Sequence, residues 1–291
     1  VQEATDALKK TIELNPKFFQ AYLNIGSIFI DLGKLKNAEI YTKKAIEIYP
    51  DFAEAHLNLG IILKDMGQLK KSELSIRKAI DLKPNYPEAH CTLGIILKYV
   101  GKLNESEISI RKAIEIKPNY AIAHLNLGTI LQDLGKLQEA ELSIRKAISL
   151  KPDLAEAYSN LGSILIELDK LEEAHISLEK AIEFKPNYSS AYLNLGTVLQ
   201  DLGQLKKAEL SIRKAIQINP NLSDAYANLG VILKYLGNLS EAESFFRKAI
   251  EIKPDNEKPY YALSTLKESY KNKDWQNYLF LENSFKNKSK K

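Results

Sequence analysis

Proline recurs at Pro16, Pro50, Pro84, Pro118, Pro152, Pro186, Pro220 and Pro254, always 34 residues after the last. A strict period of this length restricts a chain to architectures in which one small unit is repeated and stacked. Glycine keeps the same interval at Gly26, Gly60, Gly94, Gly128, Gly162, Gly196 and Gly230, and again at Gly33, Gly67, Gly101, Gly135, Gly203 and Gly237. The second glycine column has one break, at Asp169. Aspartate tolerates left-handed backbone better than most residues, so the break is expected to cost little. An array grows along one axis, and the 291 residues therefore set no domain count by length alone.

Each unit reads as two helices. Between Asp51 and Pro84, the first helix carries Ala55, His56, Leu59, Ile62 and Leu63 at helical spacing. Gly67 supplies the positive-φ stop, and the second helix carries Leu69, Ser72, Ile76, Ala79 and Ile80 on one face. Pro84 ends it, and Asn85 is expected to cap the helix that follows. Gly60, Ser72 and Ala79 are small enough for close approach, while Leu59, Leu63, Ile76 and Ile80 fill the remaining volume. One unit alone cannot bury its apolar face; stacked units can.

These residues resemble the tetratricopeptide repeat family. Its aromatic, large apolar residue and glycine read Tyr22, Ile25, Gly26, then Tyr158, Leu161, Gly162 and Tyr192, Leu195, Gly196. Its later positions read Ala140, Ile144, Ala147 and Pro152. The resemblance implies an all-α fold, a right-handed α-α superhelix of antiparallel helix pairs. On that reading residues 1–18 are the second helix of a partial repeat and 19–256 are seven complete repeats. Residues 257–285 are a degenerate repeat with capping helices, and 286–291 a disordered lysine-rich tail. Trp275, Tyr278, Leu281 and Phe285 share one helical face of the cap. Because residue 1 falls inside a repeat, the chain is expected to be a fragment of something longer.

Bulk composition excludes several classes. Charged residues make up 27% of the chain and the net charge is +4, which forces neither a nucleic-acid nor a membrane reading. The single cysteine, Cys91, allows no internal disulfide. No apolar run reaches the roughly 18 residues of a membrane span. A cytoplasmic location is the expectation, with no cofactor and no metal.

His56, His90 and His124 recur at the repeat interval, but equivalent residues of stacked helices sit on the order of 8–10 Å apart, too far for a shared metal ion. Tyr22, Tyr158, Tyr192 and Tyr226 hold the same column, so the position is expected to want a half-buried ring. His175 is expected to be a solvated surface residue. The pairs Arg77-Lys78, Arg111-Lys112, Arg145-Lys146, Arg213-Lys214 and Arg247-Lys248 could form a basic stripe for phosphates. Glu73, Glu107, Glu141, Glu209 and Glu243 lie four residues before each arginine, which favours a self-neutralising outer face. No phosphate loop, catalytic triad or metal-spaced Cys/His cluster is present, and no enzyme activity is expected.

The first helices repeat Asn24, Asn58, Asn126, Asn160, Asn194 and Asn228, broken only by Thr92. Asparagine is a poor interior helix residue, so its recurrence asks for a reason. Its amide offers an acceptor and two donors, suited either to a ligand's peptide backbone or to bracing neighbouring repeats. The resemblance implies that this column lines a concave groove, as in protein O-linked N-acetylglucosamine transferases, whose repeats hold extended peptides with a similar asparagine ladder. Carried-over groove positions include Asp31, Glu54, Asp65, Glu88, Asp133, Glu156, Glu167, Asp201 and Asp224, against Lys64, Lys98 and Lys234. Such a groove should repel phosphates and prefer an extended, neutral to basic peptide or protein segment. It lacks the basic set that clamps acidic chaperone tails, since Glu54, Glu88 and Glu156 stand in place of one of those lysines.

Asn126–Ile148 and Asn194–Ile216 differ at only four of 23 positions, so the binding surface is expected to repeat nearly unchanged. The leading expectation is a peptide-binding scaffold, with self-association through the end repeats as a further one. A substrate-presenting arm of a larger glycosyltransferase or sulfotransferase, as in bacterial repeat proteins, is the alternative. An RNA-binding helical-repeat protein is a third, disfavoured by its usual period of 35 and by the acidic groove.

Overall fold

A computed structural model describes residues 1–266, and among them all regular structure is helical. The chain forms two compact units, Val1–Pro152 and one that begins at Asp153. The first holds α1 (Gln2–Leu14), α2 (Phe19–Asp31), α3 (Leu35–Ile48), α4 (Ala53–Asp65), α5 (Leu69–Leu82), α6 (Pro87–Tyr99), α7 (Leu103–Ile116), α8 (Ala121–Asp133) and α9 (Leu137–Leu150). The second holds α10 (Ala155–Glu167), α11 (Leu171–Phe184), α12 (Ser189–Asp201), α13 (Leu205–Ile218), α14 (Ser223–Tyr235), α15 (Leu239–Ile252) and α16 (Glu257–Ser264). Trp275, Tyr278, Leu281, Phe285 and the lysine-rich tail lie outside the described residues.

Every first helix from α2 to α14 has 13 residues, and every second helix from α3 to α15 has 14. Side chains at equivalent positions therefore meet equivalent neighbours in each repeat. Within each unit a first helix packs most fully on its own second helix, which packs in turn on the next first helix. First helices also touch along the stack, α2 on α4 on α6 on α8, and α10 on α12 on α14. They form the inner layer of each unit, and the second helices form the outer one.

Close approach within a pair depends on the first glycine column. A Cβ added at Gly60 would fall on the Ile76 side chain, which is fully buried. At Gly230 the opposing group is the Phe246 ring, whose nearest carbon would lie 2.6 Å from that Cβ. Ser72 and Ser106 reinforce the contact, their hydroxyls donating to the carbonyls of Gly60 and Gly94 at 2.6 Å. The ends of the first helices are closed by the second glycine column. The Gly67 N–H bonds the Lys64 carbonyl and the Gln68 N–H bonds the Leu63 carbonyl, with Gly67 at φ 74°. This is a Schellman turn. The same turn forms at Asp169, φ 58°, with the Asp169 N–H on the Ile166 carbonyl and the Lys170 N–H on the Leu165 carbonyl; it is the one non-glycine with positive φ among the described residues.

The expected asparagine cap at Asn85 is not formed. The residue flanking α6 is Tyr86, no side chain caps that helix, and Asn85 falls one residue earlier in the turn. Phe52, Tyr120, Leu154, Tyr188 and Leu222 hold the same flanking position. Tyr86 is 9% exposed and lies in a cluster with Leu57, Ile76, Ala79 and Leu93. Burying a large apolar group contributes about 1.5–3 kcal/mol, against about 1 kcal/mol for a cap, so packing takes the position. Only α16 gains a side-chain cap among the described helices, Asn256 accepting from the Lys258 N–H.

Thr42 stands in the column otherwise filled by Ile76, Ile110, Ile144, Leu178, Ile212 and Phe246. Its hydroxyl oxygen is buried without a hydrogen-bond partner, which costs about 1–3 kcal/mol. Thr42→Val, of the same shape, is expected to stabilise the chain by about that amount, read as a higher urea midpoint. An unchanged midpoint would show that the hydroxyl is satisfied in solution. Gly230→Ala is expected to destabilise by about 1–3 kcal/mol through overpacking, despite alanine's better helix propensity. Shrinking the opposing ring in Gly230→Ala/Phe246→Leu should recover most of that loss.

Candidate functional site

The asparagine column lies on the inner layer. Asn24, Asn58 and Asn126 are on α2, α4 and α8 of the first unit; Asn160, Asn194 and Asn228 are on α10, α12 and α14 of the second. Asn24 is exposed and the others are half-buried. Three of the amides reach to the preceding repeat. Asn58 donates to the Ser27 hydroxyl at 3.3 Å, Asn126 to the Cys91 sulfur at 3.4 Å, and Asn228 to the Thr197 hydroxyl at 3.2 Å. Burial raises the Cys91 thiol pKa, so the sulfur accepts as a neutral group. Sequence reasoning missed these acceptors, although Ser27 and Thr197 each lie 31 residues before their asparagine. Thr92, which breaks the column, turns its hydroxyl onto the Glu88 carbonyl of its own helix at 2.8 Å.

The charged positions sit at both ends of the same helices, with Glu54, Glu88, Glu156 and Asp224 in first turns. Asp65, Asp133 and Asp201 are the last residues of α4, α8 and α12. Lys98 of α6 bridges to Asp133 of α8, in the next repeat, at 3.0 Å. Lys64 pairs with Asp65 at 3.1 Å, and Lys234 donates to the Thr265 hydroxyl at 2.8 Å. Glu88 receives Lys117 at 3.2 Å, and Asp224 accepts from Asn256 at 3.2 Å. The acids of this face are thus partly neutralised, while Asp31, Glu54 and Asp201 have no ion-pair partner among the described residues.

The ring column has a second task beyond packing. His56, His90 and His124 hydrogen-bond through Nε2 to the carbonyls of Pro50, Pro84 and Pro118 at 2.7, 2.8 and 2.9 Å. Tyr260 does the same to Pro254 at 3.1 Å. A carbonyl only accepts, so each imidazole carries its proton on Nε2. The ring therefore ties the inter-repeat turn to the following helix. His175 is half-buried beside Glu179, at 3.3 Å, rather than fully solvated. No group of three or more potential metal ligands exists among the described residues, and no described helix is long and apolar enough to cross a membrane.

The outer layer is a lattice of ion pairs. Arg77, Arg111, Arg213 and Arg247 pair with Glu73, Glu107, Glu209 and Glu243 at 2.7–2.9 Å, as the spacing implies. The same arginines also reach between repeats, Arg111 to Glu139 at 2.8 Å and Arg213 to Glu241 at 2.7 Å. Lys136 returns to Glu107 at 2.8 Å, so Glu107 holds two cations. The Lys136 hydrogen bond, then those of Arg111, lower the Glu107 pKa below its ordinary value. A depressed carboxylate stabilises the fold above its unfolded pKa, and that contribution disappears as pH falls through the folded value. Glu107→Gln is therefore expected to cost up to about 1 kcal/mol at pH 7. The deficit should begin to shrink as pH falls below about 4 and disappear below the depressed folded value, a course that melting curves of both chains would follow.

Tetratricopeptide repeat models match residues 19–52, 41–73, 87–120, 121–154, 189–222 and 223–256, and a TPR repeat model matches 162–203. No curated protein matches the sequence. Among solved structures, the APC/C hetero-tetramer Cut9-Hcn1 is similar at a TM-score of 0.76 and 14% identity, over 91% of this chain and 52% of that one. The chain thus spans about half the length of that relative. PilF of Pseudomonas aeruginosa is similar at 0.65 and 19% identity, over 72% of this chain and 95% of its own. YrrB, a TPR protein with an unusual peptide-binding site, is similar at 0.51 and 25% identity, over 64% and 96%.

Proposed function

The chain belongs to the tetratricopeptide repeat family, and on that premise we propose that its inner layer holds an extended segment of a partner protein. The reading is that of a scaffold, with partner capture rather than chemistry as its task. The observation that carries it is the asparagine column. Asn58, Asn126 and Asn228 each commit one N–H to the preceding repeat. That bond fixes the amide in one orientation and leaves its oxygen and second N–H to meet a ligand's peptide groups. Bracing and binding are then successive uses of the same side chain. The position of YrrB among similar structures supports the reading, because that protein has a peptide-binding site.

Charge narrows the partner. Asp31, Glu54 and Asp201 have no ion-pair partner among the described residues, whereas Lys64, Lys98 and Lys234 are each engaged within the protein. A neutral or basic segment meets this face favourably, and a phosphate backbone does not. Peptides selected on the intact chain from a random-sequence library are expected to be neutral to basic. Replacing all six asparagines of the column by alanine should weaken their binding about tenfold or more, at about 0.5–1.5 kcal/mol per hydrogen bond. Helicity by circular dichroism should stay the same. Selected peptides rich in carboxylates, or undiminished affinity for that variant, would sink the proposal.

A further inference from the structure

The outer layer carries a second feature that ion pairing does not explain. Ile40, Leu74, Ile108, Leu142, Ile176 and Leu210 recur at the repeat interval on the second helices, each between 60% and 70% exposed. Single exposed aliphatic residues are ordinary, but a column in register on an otherwise charged layer is not. Two members of the column border open recesses. One, of 380 Å³, is lined by Ile46, His56, Leu59, Leu74, Ser75 and Lys78. The other, of 430 Å³, is lined by their counterparts 68 residues further on, Leu142, Ser143 and Lys146 among them. Both lie within the first unit and are the same recess two repeats apart.

The protein itself shows what fits there. In the register of Ser75 and Ser143, the repeats nearest the two ends of the described chain carry Tyr41 and Phe245. Tyr41 lies against Tyr22 at 6.3 Å and Phe29 at 5.5 Å between ring centroids. Phe245 lies against Tyr226 at 6.0 Å, with the Arg213 guanidinium 5.5 Å over its ring. An aromatic side chain thus covers the ring column wherever the second helix supplies one, and serine leaves that place open beside His56 and His124. Charge at the rim completes the picture. Lys112 and Lys248 are held by Glu115 and Glu251 at 2.7 and 2.8 Å. Their counterparts at the recesses, Lys78 and Lys146, have no ion-pair partner among the described residues, while the acids that line the recesses, Glu47 and Glu115, are already held by Lys44 and Lys112 at 2.8 and 2.7 Å.

We propose that each recess receives an aromatic side chain from an acidic partner segment, with the ring on the histidine and leucine and a carboxylate beside Lys78 or Lys146. The partner differs in charge from the one proposed for the inner layer, and the two surfaces are independent. The probe is a blocked peptide with one phenylalanine flanked by aspartates, titrated into the full chain while the Leu74 and Leu142 methyl resonances are followed. Saturable shifts are expected at both. They should require at least tenfold more peptide when phenylalanine is replaced by alanine, or the aspartates by lysine. Ser75→Phe/Ser143→Phe fills both recesses in the manner of Phe245 and should abolish the shifts with helicity retained. If that variant loses helicity, Lys78→Glu/Lys146→Glu serves instead and should weaken binding by the same factor. Absence of saturable shifts at millimolar peptide, or equal binding of the lysine peptide, overturns the proposal. So does self-association in sedimentation that the filled variant abolishes, which would assign the recesses to a second copy of the chain.

Discussion

A glycine on each first helix from α2 to α14 rests against a buried branched or aromatic side chain on its second helix, and that contact sets how near the two backbones come. Gly60 against Ile76 and Gly230 against Phe246 are two instances. With no Cβ between them, the helices of a pair interlock at one fixed point, and every other position on either helix inherits its face from that point. Asn58, two residues before Gly60, and Arg77, one after Ile76, take their faces from that contact.

Much of this was legible in the residues alone. The positive-φ turns, the buried alanine column and the Glu-Arg pairs follow from spacing, since each depends on neighbours within one helix or one turn. What spacing did not disclose were interactions that bind one repeat to the next. The Arg111–Glu139 and Lys136–Glu107 bridges depend on how far two outer helices splay, and the reach of Asn126 to Cys91 depends on how closely two inner helices stack. Tyr86 exposes a different difficulty. Asn85 beside it satisfies every local rule for a cap, and the outcome was decided by a core assembled from three helices.

The candidate site repeats the same lesson at the level of function. Recurring asparagine flags a polar need, but residue type alone does not distinguish an amide that serves a ligand from one that serves its neighbour. The geometry makes the two compatible, since a donor committed to Ser27 or Thr197 holds the remaining amide atoms still. The outer recesses were harder to foresee, because an exposed leucine in a helix has an ordinary explanation in propensity. They become visible only when Ser75 is set beside Phe245, its own counterpart, and the missing ring is seen as missing.

The lone hydroxyl of Thr42 has a consequence that reaches past its own repeat. Contacts within each unit extend to the adjoining helices and little further, so stability passes along the stack as a chain of neighbour couplings rather than through one shared core. In such a system a weak link makes the couplings on either side of it the easiest to open. The defect lies in α3. Local opening should therefore be easiest at the α2–α3 pair and be arrested where Ile76 restores the column, leaving the remaining helices of the unit in place.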